Sequence, residues 1–63
     1  MRRVKFFKYS NGELILDGEA NFHAWGVDFE EFESGPVNYS TAIIEFDNGV
    51  VKNTPVEQIE FIK

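Results

Sequence analysis

The densest chemistry in the chain lies in the stretch FHAWGVDFEEF. There Phe22, His23, Trp25, Phe29 and Phe32 are interleaved with Asp28, Glu30 and Glu31, and Glu33 follows. Aromatic rings beside carboxylates suit a partner that is basic and partly apolar, and aromatic side chains supply many of the strongest contacts at protein interfaces. A structural role competes with this reading: Phe22, Trp25 and Phe29 would then plug the core under a long loop. Phe32, nearest the Gly35-Pro36 break, is the ring expected to remain exposed.

The same residues offer little else. His23 with Asp28, Glu30 or Glu31 would make an imidazole–carboxylate site, but one histidine and no cysteine form a poor transition-metal donor set. Asp28 to Glu33 lacks the alternating ligands and the glycine of a calcium loop. No metal and no cofactor are expected. Ser10, Ser34 and Ser40 stand in turn or strand-start contexts without a base beside them, so nucleophilic catalysis is unsupported. Paired carboxylates for acid–base work need a cleft and separated pKa values, and Glu30 and Glu31 are adjacent. The five glycines are scattered one per turn and form no phosphate-binding motif. The expectation is a protein that is not an enzyme.

These residues must be held by short extended elements. Val4 to Tyr9 is β-branched and aromatic and reads as a strand. Asn11-Gly12 favours the positive φ angles of a type I′ hairpin turn, with Glu13 to Asp17 as the return strand. Gly18 and Asn21 mark a loop. Phe22 to Trp25 reads as a third strand. Trp25, Phe29 and Phe32 then fall at helical spacing, so Val27 to Glu33 is either two marginal helical turns or an ordered acidic loop. Tyr39 to Asp47 is the strongest strand, with Ala42, Ile44 and Phe46 on one face and Thr41, Ile43 and Glu45 on the other. Asp47-Asn48-Gly49 is a second hairpin signal and Val50 to Thr54 the return strand. Pro55 to Gln58 reads as one turn of 3-10 helix, and Ile59 to Ile62 as a last strand. Five or six short strands in 63 residues predict an all-β fold, a small SH3-like barrel of about five strands in a single domain spanning residues 1–63. It would carry a long aromatic and acidic loop over residues 22–36.

Composition limits the partners. Six basic residues against eleven acidic ones leave a net charge of −5, which disfavours binding to a phosphate backbone. The charge is uneven: Arg2, Arg3, Lys5 and Lys8 gather at one end and Asp28, Glu30, Glu31 and Glu33 in the middle. Opposite charges so separated can pair within one copy or between two, and Ile43 on the wetter strand face also fits self-association, so a homodimer is one expectation. No apolar run approaches the roughly 18 residues of a membrane span. No apolar stretch of a secretory signal follows the basic start. The expected setting is the cytoplasm.

Residues 22–49 resemble a family of short uncharacterised proteins carried by phages and prophages of Gram-positive bacteria. The features that match are Phe22-His23-x-Trp25-Gly26, the run Asp28-Phe29-Glu30-Glu31-Phe32, Gly35-Pro36 and the strand Thr41-Ala42-Ile43-Ile44-Glu45, continuing through Ile59-Glu60-Phe61-Ile62. The resemblance implies a viral or prophage origin and a bacterial cytoplasm. It brings no activity and no catalytic residues.

The leading functional expectation is therefore a protein–protein interaction module. It would contact a host or phage protein through Phe22, His23, Trp25, Asp28, Phe29, Glu30, Glu31 and Phe32. The alternative is an acidic nucleic-acid mimic or inhibitor of host defence, in which carboxylates replace phosphates. Direct single-strand binding on an aromatic face is disfavoured by the charge, and a structural role in a virion is a further alternative.

Overall fold

A computed structural model describes residues 1–63. The chain forms β1 (Arg3–Ser10), β2 (Glu13–Phe32), β3 (Gly35–Phe46), β4 (Val51–Pro55), a 3-10 turn η1 (Val56–Gln58) and β5 (Ile59–Phe61). The strands make one antiparallel sheet in the order β4-β3-β2-β1-β5. The sheet is open, with β4 and β5 as its edges. No helix is long and apolar enough to cross a membrane.

Two turns follow directly from local chemistry. Asn11 and Gly12 have φ of 51° and 80°, the paired positive values that a type I′ turn requires. At the β3–β4 connection Gly49 takes φ of 89°, its N–H donates to the Phe46 carbonyl at 2.9 Å, and the Asn48 side chain accepts from the Val50 N–H at 3.1 Å.

β2 organises the rest. A straight strand of its 20 residues would run about 65 Å, yet the longest dimension of the molecule is 38 Å. The strand bends at two irregularities. One skips Asp17 opposite Phe6 and Phe7, and the other skips His23 between Phe22 and Ala24. Extra residues of this kind re-aim a strand and increase its twist. The first half of β2 pairs with β1 and the second half with β3, so the bends fold the sheet over its own inner face. That face carries the core: Val4, Phe6, Ala20, Ala42 and Ile44 are buried, with Phe22, Phe46, Ile59 and Phe61 packed against them. The edge-to-face pair Phe6–Phe46, 5.3 Å between ring centres, closes one end. Only seven residues are fully buried, as expected where surface outweighs volume.

The expected segmentation needs three corrections. Gly18 to Asn21 is continuous strand, so the second and third expected strands are one. Val27 to Glu33 is extended and not helical. The long loop over residues 22–36 does not exist: β2 runs to Phe32, β3 starts at Gly35, and Phe32 pairs with Gly35 across a two-residue turn, Glu33-Ser34. Gly35 absorbs that reversal with φ of 114°. Helical spacing misleads here because Trp25 and Phe29 also share one side of a strand, whose side chains alternate with period two.

Candidate functional site: a two-stranded aromatic and acidic arm

β4 pairs with β3 only from Thr41 to Glu45, and β1 pairs with β2 only as far as Asn21. Beyond those limits Val27–Phe32 and Gly35–Ser40 have only each other, with Trp25 and Gly26 at the root opposite Ala42 and Thr41. They project as a two-stranded arm whose two outer edges meet no further strand.

Its two faces differ. Register pairs Trp25 with Ala42, Val27 with Ser40 and Phe29 with Asn38. Paired residues share a face, so Trp25, Val27 and Phe29 continue the inner, core-bearing face outward. No strand covers them there, and they are 59%, 70% and 58% exposed. The opposite face carries Asp28 beside Tyr39, Glu30 beside Val37, and Phe32, which is also exposed.

The expected contact residues thus divide. Phe22 is half-buried and belongs to the core margin, where it meets Trp25 at 4.8 Å and Phe61 at 5.2 Å between ring centres. Trp25 and Phe29 do not plug the core. Trp25 leans edge-on against Phe22 and Phe61 while more than half of its surface faces solvent. Arg2 caps this cluster, its guanidinium 3.8 Å from the centre of the Phe61 ring. His23, the extra residue at the second bend of β2, is turned toward β3, where its Nε2 lies 2.8 Å from Glu45 Oε1. It is far in register from the arm's carboxylates, and no cluster of metal-ligating groups forms.

Charge is segregated. From Ala20 to Val51 the sequence contains no lysine or arginine. Most basic residues are engaged elsewhere. Arg3 bridges to Asp47 at 2.9 Å and Glu19 at 3.5 Å, Lys8 meets Asp17 at 3.5 Å, and Lys52 lies over the Phe6 ring. Asp28, Glu30, Glu31 and Glu33 take part in no ion pair. Asp28 accepts the Phe29 N–H at 2.8 Å, and the Tyr39 hydroxyl donates to its other oxygen at 3.4 Å.

A cleft of about 460 Å³ opens along the face of the arm opposite Trp25, from the point where β4 leaves β3 toward Phe32 near the tip. Phe32, Val37, Tyr39 and Val56 form its apolar wall, with Glu30 on one strand and Glu57 on η1. Partial desolvation, with the nearby charges of Asp28 and Glu30, raises the Tyr39 phenol above its ordinary 10.0. Glu57 beside the Tyr9 hydroxyl pushes that phenol up as well. Of this cleft the sequence reading had only Glu30 and Phe32. Val37, Tyr39, Val56 and Glu57 enter it through register and the chain's turn at Pro55.

No family model, no curated protein and no solved structure matches the chain.

Proposed function

We propose that this protein is a non-enzymatic interaction module that docks a basic, partly apolar protein segment on its projecting arm. The observation that carries the reading is the uncovered stripe Trp25, Val27 and Phe29 on a ribbon whose four carboxylates have no cationic partner. A two-stranded ribbon is marginal by itself in water, and an open strand edge beside exposed apolar side chains invites a further strand. Arm-to-arm pairing of two copies would bring eight carboxylates together with no cation between them, so a basic partner fits better than a homodimer formed through the arm.

The strand order, with a single 3-10 turn before the last strand, supports assigning the fold to the SH3-like barrels in a half-open form. The resemblance to small phage and prophage proteins favours an action in a bacterial cytoplasm, on a host or phage protein. Mimicry of nucleic acid is less well supported, because Asp28 and Glu30 lie on one face of the arm and Glu31 on the other, with rings between them, instead of in a single anionic stripe.

Affinity capture from bacterial lysate tests the reading. Trp25→Ala and Phe32→Ala are both surface changes that should leave the protein folded. Each is expected to lose the specific partner retained by the parent protein, and retention of every partner by both folded variants contradicts the proposal.

A further inference from the structure

Building on that docking reading, we infer that the cleft along the arm receives one cationic side chain, arginine or lysine, from the docked segment. The cleft's volume of about 460 Å³ lies within the range of about 300–1,000 Å³ typical of small-ligand sites. Its wall is a ring and stem surface of Phe32, Val37, Tyr39 and Val56, and its charged groups are Glu30 and Glu57. No basic residue lines it. An apolar stem with a cationic head matches both features, since long basic side chains lay their methylenes on apolar surface and keep the head among acceptors. The exposed Phe32 ring and the Tyr39 ring add faces over which a cation is attracted.

The backbone identifies the occupant as a side chain of a polypeptide. β4 pairs with β3 no further than Pro55 opposite Thr41, and the chain then turns away into η1. The outer edge of Gly35–Ser40 is left open immediately beside the cleft. An extended segment laid along that edge takes the place β4 vacates and carries its side chain directly over the opening. Tyr39, held high by desolvation and then by Asp28 and Glu30, stays neutral and offers a hydroxyl instead of a second charge.

The test is an amide NMR titration of the full 63-residue chain with three blocked pentapeptides. Gly-Gly-Arg-Gly-Gly and its lysine counterpart supply the cation, and the citrulline counterpart keeps the shape of arginine without its charge. The cationic peptides are expected to move the signals of Glu30, Phe32, Tyr39 and Glu57, with citrulline leaving them in place. Glu57→Gln, on an exposed turn, is expected to weaken the effect about fivefold, with Glu30→Gln as a second variant. Equal shifts from arginine and citrulline, or no shift in this group, overturn the inference. Shifts confined to Trp25, Val27 and Phe29 also overturn it, while leaving the arm as a docking surface intact. Loss of partner capture in the Trp25→Ala variant, whose substitution leaves the cleft lining untouched, decides that broader reading separately.

Discussion

Asp28 stands directly opposite Tyr39 across the β2–β3 ladder, and the Tyr39 hydroxyl points at its carboxylate from 3.4 Å. This pair ties the arm's charge to a group that can be titrated optically. Tyr39 is raised above 10.0, first by desolvation and then by Asp28 and Glu30. A raised phenol keeps its proton into more alkaline solution. Its contribution to stability is therefore complete below 10.0 and is lost as pH rises through the folded value. Asp28→Asn with Glu30→Gln should bring the Tyr39 ionisation back toward 10.0 in an absorbance titration, without restoring it fully because desolvation remains. An unchanged curve would show that the carboxylates do not act on the ring.

Gly26 and Thr41 are paired at the root of the arm, and a methyl group at position 26 would sit 2.8 Å from Thr41 Oγ1 and 3.3 Å from Ile43 Cδ1. The hydroxyl is on a short, fully buried side chain and has little room to withdraw. Gly26→Ala is expected to destabilise the fold by about 1–3 kcal/mol in urea unfolding. A variant as stable as the parent would mean that the two strands separate here at little cost.

Thr54 is fully buried and its hydroxyl has no hydrogen-bond partner. Removing an unsatisfied polar group without changing the shape of the side chain relieves a desolvation penalty. Thr54→Val should raise stability by about 1 kcal/mol, read as a higher urea midpoint at unchanged slope. A lower midpoint would indicate that the hydroxyl is bonded in solution.

Arg3, at the start of β1, reaches across β2 to Asp47, just past the end of β3. The hydrogen bond and charge of the guanidinium lower the Asp47 carboxyl below its ordinary 3.8. A depressed carboxyl stabilises the fold above its unfolded value and loses that contribution as pH falls through the folded one. Asp47→Asn should thus lower stability at neutral pH and flatten the decline as pH falls below 3.8. An acid limb identical to that of the parent chain would show that the pair is inert.

The parts of this fold that sequence alone discloses are those set by local chemistry. Asn11-Gly12 specifies its turn through two positive φ angles, Gly49 closes the second hairpin, and Pro55 opens the single 3-10 turn. The arm was obscured for two physical reasons. Seven residues are too few to separate a period of 3.6 from a period of two when Trp25 and Phe29 satisfy both, and the turn Glu33-Ser34 lacks the usual hairpin dipeptide, its positive φ falling one residue later on Gly35. Of the rings in this stretch, Phe32 is exposed as its place near Gly35-Pro36 suggested, Trp25 and Phe29 are exposed as well, and Phe22 alone packs at the core margin. Tyr39, Val37 and Glu57 were hidden because only strand register and the path after Pro55 bring them beside Glu30.

Trp25 is the only tryptophan, and it sits on the uncovered face of the arm. Its emission is therefore a direct report of docking. Titration at low salt with a blocked peptide alternating lysine and leucine should shift the emission to the blue, and the effect should weaken as salt is added. An acidic peptide of the same pattern and a single-stranded oligonucleotide should leave the emission unchanged. Quenching by the oligonucleotide with no response to the basic peptide would contradict the account.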